Sequence, residues 1–333
     1  MIAASFPENV RVSIGSAIIL GLLKGRLDAK PTTVYLLICR NEKCSANCGF
    51  CSQSRNSIGR ADRLSRISWP KFFTLNVVDA IEKKVNIGII KRVCIQSLNY
   101  PEAYNDVICL VKKLKSRVKV PISVSCKPLI KQEMKKLVDA GVNRLSFALD
   151  AATEQVFRKV KGQSVGGPYK WHTQQNALKE AVEVFGEGAV STHLIVGLGE
   201  TEKELCTTIQ WCVDSGIYPG LFAFTPVPGT ALENNAPPQI RSYRRIQSAH
   251  YLLTNKKAYL KNMEFYPDGK IKGFGVTAEK LIEIIETGKP FLTSGCPDCN
   301  RPYYNERPGS ILYNYPRQMT SEEIKEVKKV LGF

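Results

Sequence analysis

Short β-branched or apolar runs alternate with segments of helical spacing over most of this chain, and that alternation limits the fold more than any other feature. The runs fall at 33–39, 91–96, 121–125, 143–149, 189–196, 221–225, 263–266 and 291–294. Between them apolar residues recur at helical intervals, as at 104–114, 132–140, 201–215 and 241–253. Strand, helix and strand in that order pack as a parallel βαβ unit. Eight strands predict an α/β fold, a TIM-like (βα)8 barrel with its chemistry at the carboxyl ends of the strands. A chain of 333 residues accommodates one such barrel of about 250 residues with extensions. The predicted division is a helical N-terminal extension at 1–32, the barrel at 33–294 and a C-terminal tail at 295–333. That tail is rich in Pro, Asn, Tyr and Arg and ends in a charged helix at 321–331.

The apolar run at 17–23 is interrupted by Gly21 and is far shorter than the roughly 20 residues a membrane span needs. No charged, apolar and small-residue regions follow one another as a secretory signal requires. Eleven cysteines without such a signal point to a reducing compartment, the cytoplasm, and to metal binding in place of disulfides. The formal charge is +17, but the lysines are spread along amphipathic stretches, with no compact basic stripe interleaved with aromatics. Nucleic acid is therefore not expected as a partner. A diffuse basic surface suits either long-range steering of an acidic protein or a Lys-rich, heat-adapted exterior.

Cys44, Cys48 and Cys51 crowd into eight residues directly after the first strand. Soft thiolates select zinc, copper(I) or iron–sulfur clusters. Three ligands in place of four leave one corner of a cluster open to a group that is not protein. A zinc knuckle would need a fourth ligand that the neighbourhood does not obviously supply. Ser45 and Gly49 suit a tight loop, because small residues permit unusual backbone angles. A second signal, Leu194-Ile195-Val196-Gly197-Leu198-Gly199-Glu200-Thr201, reads as a strand entering a glycine turn that opens a helix; an ordinary βα turn has the same appearance. Asp150 closes the fourth strand, where a carboxylate can accept a ribose hydroxyl, orient substrate, or cap the helix that starts near Thr153. Cys296-Pro297-Asp298-Cys299 follows the eighth predicted strand and is expected at the active-site mouth. Such a pair can be redox-active or half a zinc site, although no helix follows as in thioredoxin. Cys109, Cys206 and Cys212 fall on helical segments and read as small buried hydrophobes.

The cysteine spacing, with Phe50 just before the last thiol, resembles the radical S-adenosylmethionine (SAM) superfamily. In that family three cysteines hold a 4Fe–4S cluster whose open iron binds SAM and passes it an electron, releasing a 5′-deoxyadenosyl radical. The resemblance implies cofactor contacts for Phe50, Asp150, Val196, Gly197, Gly199 and Glu200. The run Cys48-Gly49-Phe50-Cys51-Ser52-Gln53-Ser54 is similar to biotin synthase and its relatives, and that similarity covers roughly 33–294. Cys94 and Cys126 stand where biotin synthase has ligands to an auxiliary cluster. Its third cysteine is absent, since this chain reads Ser191-Thr192-His193-Leu194, and its arginine has no clear counterpart. Cys94, Cys126, Cys296 and Cys299 would supply four thiolates to a second 4Fe–4S cluster, with Cys39 as an alternative.

The tail run Asn300-Arg301-Pro302-Tyr303-Tyr304-Asn305-Glu306-Arg307-Pro308 resembles the two-component lipoyl synthases. That resemblance implies sulfur insertion into an unactivated C–H bond of a protein-bound octanoyl or mercapto-octanoyl chain, with sulfide drawn from the auxiliary cluster. The implied partners are an octanoylated acceptor protein, a second radical SAM component and an electron donor, with no membrane or nucleic acid. Biotin synthase is the alternative within the class; a relative that matures an iron–guanylylpyridinol cofactor has longer cysteine spacing. A non-catalytic iron–sulfur electron carrier and a zinc-binding interaction protein are alternatives from other classes.

Overall fold

The structure is a computed structural model and describes residues 6–38, 42–307 and 309–333. In chain order the elements are β1 (Asn9–Val12), α1 (Ile14–Leu20), β2 (Thr33–Ile38), the short pair β3 (Arg63–Leu64) and β4 (Ile67–Ser68), and β5 (Lys71–Phe73). Then come α2 (Thr74–Asn86), β6 (Arg92–Ser97), α3 (Ala103–Lys115), β7 (Ile122–Cys126), α4 (Lys131–Asp139), β8 (Arg144–Phe147) and α5 (Glu154–Val160). The chain continues with α6 (Trp171–Phe185), β9 (Val190–Val196), α7 (Glu202–Asp214), β10 (Ile217–Ala223) and α8 (Ile240–Thr254). It ends with β11 (Glu264–Phe265), β12 (Ile271–Gly273), α9 (Ala278–Glu286) and α10 (Ser321–Leu331).

One mostly parallel sheet organises the molecule, in the order β10-β9-β8-β7-β6-β2-β1-β5. The strands from β2 and β6 to β10 run parallel, whereas β1 and β5 add antiparallel at one edge. β2 is buried along its whole length, as expected of a parallel strand covered on both faces. The helices pay their apolar stripe into this layer: α3 buries Val107, Leu110, Val111 and Leu114, the i, i+3, i+4, i+7 spacing of an amphipathic helix. Among the described residues no helix is long and apolar enough to cross a membrane.

The first five predicted strands lie where expected to within a residue or two. β10 starts at Ile217, ahead of the predicted 221, because Tyr218-Pro219-Gly220 looks like a turn. Proline is tolerated there since β10 ends the sheet and an edge strand need not donate every N–H. The segments at 263–266 and 291–294 lie outside the main sheet. β11 pairs only with β12, across Tyr266-Pro267-Asp268-Gly269-Lys270, where Tyr266 N–H donates to Lys270 O at 2.9 Å and Gly269 has φ +79°. Pro-Asp-Gly is a turn signal that makes a hairpin here in place of a long strand. Around 291 the chain forms a 3₁₀ turn, Lys289–Phe291, followed by a single bridge from Leu292 to Tyr315. The stretch before β2 is also not purely helical, because it contributes β1 to the sheet.

The tail takes over the work of the missing strands. Ser294 Oγ accepts from Leu221 N–H at 2.7 Å, and Asn305 Nδ2 donates to Ala223 O at 2.7 Å, so tail side chains occupy the open edge of β10. Tyr304 then packs against Tyr35 of β2 with ring centroids 5.3 Å apart. The tail thereby bridges the two sides of the lumen.

Candidate functional site

The strand register arranges the lumen wall in rows. Tyr35, Cys94, Ser123 and Arg144 are successive partners across β2, β6, β7 and β8. The next row toward the carboxyl ends is Leu37, Gln96, Ser125, Ser146 and Ser191. Residues of both rows line a cavity of about 220 Å³ that also touches Phe50, Cys51 and Asp150 at one end and Cys296 and Cys299 at the other. A second cavity, of about 190 Å³, is lined by Cys44, Cys48, Cys51, Phe50, Asn99, Asp150, Lys161, Tyr169, Gln174 and His193.

Cys44, Cys48 and Cys51 are brought together on the loop that leaves β2. The loop is pinned from several sides: Ser45 N–H and its hydroxyl both donate to Asn99 O at 2.8 Å, and Arg55 N–H donates to Ala46 O at 2.8 Å. Gly49 N–H donates to Val160 O at 2.7 Å. A side-chain carbon on Gly49 would stand 3.4 Å from Leu232 and 3.5 Å from that carbonyl. Close approach of backbones, with no left-handed φ, is what a small residue serves here. Asn99 N–H reaches Cys44 Sγ at 3.2 Å. Burial pushes the Cys48 thiol up, opposed by the Lys161 cation, and raises Cys51 to about 11; buried thiols resist ionisation until a cation or metal compensates.

Asp150 follows β8 by three residues, in an isolated bridge to Leu194, with φ +67°, a conformation a non-glycine residue holds only when its surroundings impose it. Here its N–H donates to His193 O at 2.7 Å and its carbonyl accepts from Ile195 N–H at 2.8 Å. The carboxylate meets Lys161 Nζ at 2.6 Å, and both side chains are buried. Lys161 also donates to Ala148 O and lies 5.0 Å from the centre of the Tyr169 ring. Thr153, not Asp150, caps α5, its hydroxyl accepting from Val156 N–H. Gln174 lines the same cavity and donates to Ala148 O at 3.2 Å, while its buried Oε1 has no partner.

The segment 196–200 lies beside this cavity but does not line it. Val196 is buried in the core formed with α7 and α8. Gly197 and Gly199 adopt φ +103° and +115°, and Glu200 accepts the N–H groups of Gly197 at 2.7 Å and Leu198 at 3.0 Å. The residues of β9 that do face inward are Ser191, His193 and Ile195. His193 lines both cavities, and burial lowers its pKa to about 4, so it is neutral at pH 7.

Of the four thiols expected in an auxiliary site, three line one cavity and one lies in another. Cys94, Cys296 and Cys299 line the larger cavity, whereas Cys126 lines the cavity of Cys44 and Cys48. Burial and then the neighbouring Glu133 charge raise Cys126 to about 12. Cys39 lies outside the described residues. The loop with Cys296 and Cys299 closes the amino end of the lumen, opposite the mouth where it was expected. Thr32 and Thr33 hydroxyls donate to Asp298 O at 2.6 and 2.9 Å, and Arg92 Nε donates to Pro297 O at 3.0 Å. Asp298, Arg301 and Tyr303 all have positive φ, so the loop is wound tightly around Cys299. Tyr35 Oη lies 3.4 Å from Cys299 Sγ and Ser123 Oγ 3.5 Å from Cys296 Sγ. The Arg301 guanidinium stacks 3.8 Å above the centre of the Phe222 ring.

Among the described residues no three His, Cys, Asp or Glu side chains converge on one ion; cluster thiolates stand on different irons and need not do so. Lys161, Gln174, His193, Ser123 and Tyr35 carry no motif that marks them in sequence, because their positions depend on strand register and on α5 and α6. Arg301, two residues past Cys299, was within reach of the tail motif.

A parallel α/β sheet with a three-thiol loop after its first parallel strand defines a class, and residues 38–212 match the model of the radical SAM superfamily. The chain belongs to that superfamily, and membership implies an enzyme with a 4Fe–4S cluster and SAM. The donors fit this: three thiols on one loop that line one cavity, and a peptide N–H on Cys44. Among curated relatives, the chain is 25% identical to a biotin synthase from Persephonella marina over 206 residues, 60% of this chain and 56% of that one. It is 24% identical to a biotin synthase from Magnetococcus marinus over 168 residues, 50% of this chain and 48% of that one. The chain thus spans about half the length of the curated relatives it matches. Two solved structures share the fold, each with TM-score 0.52. They are the FeFe-hydrogenase maturase HydG from Carboxydothermus hydrogenoformans (16% identity, covering 68% of this chain and 52% of that one) and methylornithine synthase (17%, covering 73% and 67%).

Proposed function

We propose that the chain is a radical SAM sulfurtransferase of lipoyl cofactor formation, which inserts sulfur at an unactivated C–H bond of a protein-bound octanoyl or mercapto-octanoyl chain. The observation that carries this reading is the single cavity running from Phe50, Cys51 and Asp150 to Cys94, Cys296 and Cys299. One extended substrate there touches the radical-generating end and a second sulfur-bearing end together. When bound, the cluster and SAM supply a carbon radical able to take such a hydrogen, and an auxiliary iron–sulfur centre supplies sulfide.

The protein's own share is placement. Ile195, Phe222 and Phe224 give the cavity an apolar stretch of wall that suits an alkyl chain. Asp150, held by Lys161, presents a carboxylate at the end where a ribose would lie. His193, kept neutral by burial, offers no charge to the apolar path between the two ends. The partners of this reading are an octanoylated acceptor protein, a second radical SAM component and an electron donor.

The names of the curated relatives favour a second reading, biotin synthase. Protein prepared without oxygen should carry about eight irons and eight sulfides under the sulfurtransferase reading, against about four for a single cubane. Incubation with SAM, reductant and an octanoylated peptide should add sulfur to the peptide, read by mass. An unchanged peptide together with biotin formed from dethiobiotin would overturn the lipoyl assignment.

A further inference from the structure

Outside the lumen, where the chain leaves β10, the β3–β4 hairpin and the tail enclose a cleft of about 600 Å³. Phe224, Thr225, Val227 and Asn305 line both this cleft and the lumen cavity, so the two share a wall. Arg63, Arg66 and Arg307 line the cleft. Their charges act on one another: burial lowers the Arg66 pKa, and the Arg307 and Arg63 cations lower it further while Glu306 opposes them. Like charges gathered in this way repel, and among the described residues none of the three has an ion-pair partner. Guanidiniums elsewhere on the molecule do meet carboxylates, as in Arg60–Asp62, Arg117–Glu82, Arg245–Glu202 and Arg317–Glu323. Arg63 Nε is buried without a hydrogen-bond partner, and Arg66 uses Nη1 on Tyr303 O at 2.6 Å. Arg307 is exposed. Glu306 also lines the cleft, but it is buried and accepts the Asn314 N–H at 3.2 Å. Burial raises its pKa to about 7, so it is only partly ionised at pH 7 and the cleft stays positive.

We infer, on the acceptor-protein reading above, that this cleft seats an acidic segment of the acceptor next to its acylated lysine, with carboxylates on Arg63 and Arg307. The acyl chain then enters the lumen past Phe224 and Thr225. A guanidinium presents a planar fork of donors that matches a carboxylate, and an anion between these arginines offsets their mutual repulsion. A segment of chain fits better than a free anion. Pro226, Pro228 and Pro237 give the cleft apolar surface, and Ile311 on its wall is 68% exposed, as suits the aliphatic parts of a peptide. Only a tethered group, moreover, delivers an alkyl chain across the shared wall while its carrier stays outside. The net charge of +17 steers an acidic partner toward the molecule at long range, and the cleft fixes where it settles.

The test uses full-length protein reconstituted without oxygen and two dye-labelled octanoyl-lysine peptides, one with glutamates flanking the lysine and one with glutamines. Fluorescence anisotropy reads their affinities. At low salt the glutamate peptide should bind about tenfold more tightly, and the difference should close at about 1 M salt. Arg63→Gln and Arg307→Gln should each cut that preference about threefold and leave the glutamine peptide unchanged. Arg307→Glu should shift the preference toward a lysine-flanked peptide. Lys119→Gln, at an exposed position ahead of β7, removes the same charge elsewhere and should match the parent. Circular dichroism establishes that each variant is folded. Equal affinity of the parent for the two peptides overturns the inference, as does a glutamate preference that survives in the double variant Arg63→Gln, Arg307→Gln. A parent that binds no octanoylated peptide overturns the acceptor reading itself, and that measurement comes first.

Discussion

Lys161 shows how much of a site can rest on a residue that no motif marks. Its ammonium is buried 2.6 Å from the Asp150 carboxylate, and Asp150 is held in a left-handed conformation by β9 on either side. Removing one member of a buried ion pair leaves the other charge unpaired and costs about 3–5 kcal/mol, whereas replacing both with apolar groups often costs far less. Lys161→Met should therefore lower stability by about 3 kcal/mol, and adding Asp150→Leu should recover most of it. Urea midpoints of the single and double variants check this. Under the proposed reading of Asp150 as a SAM contact, the double variant should still lack deoxyadenosine formation. Asp150 was legible because it ends a predicted strand. Lys161 was not, since α5 must first fold back over the cavity to deliver it.

At the scale of elements, the turn between β9 and α7 is read correctly from its glycines. Gly197 and Gly199 both use positive φ, and Glu200 ties down the freed N–H groups. The two positions differ in their surroundings. A Cβ on Gly197 would stand 3.0 Å from Pro238, whereas one on Gly199 meets nothing within 4 Å. Strained backbone alone costs on the order of 1–3 kcal/mol. Gly199→Ala should lie at the low end of that range and Gly197→Ala above it, as thermal melts of the two variants would show. The last two strands were misread for a comparable reason. Short apolar runs have the same composition in a buried strand, a hairpin or a 3₁₀ turn, and what decided here was Pro267-Asp268-Gly269 in one case and Pro290 in the other.

For the whole molecule, the tail does what two further strands would do in a closed barrel. Its side chains pair with the edge of β10, and its cysteine loop seals the amino ends of β2 and β6. Covering an open edge also removes a site for unwanted strand pairing. Arg244 on α8 anchors this closure, since its buried guanidinium donates to Leu312 O and to Tyr313 O, the latter at 2.7 Å. Arg244→Met should leave Leu312 O without this donor, at a cost of about 1–3 kcal/mol for a buried group, while Tyr313 O keeps the Gln247 amide at 2.9 Å. Hydrogen exchange should then quicken in 309–316 while β6 and β7 keep their protection. Equal loosening of the whole sheet would show that Arg244 supports the core and not the tail.

Local patterns sufficed for what local chemistry dictates: the strand–helix alternation that makes a parallel sheet, the crowded thiols after its first parallel strand, and the glycine turn after β9. Each of these is set by residues close together in the chain. Tertiary structure alone decided which distant side chains share a surface. Register placed Ser123 beside Cys94, the pleat turned Cys126 to the other cavity, and tail packing carried Cys296 and Cys299 to the floor of the lumen. A one-residue difference along a strand reverses the face a side chain presents, and spacing within a single run does not report its register against its neighbours.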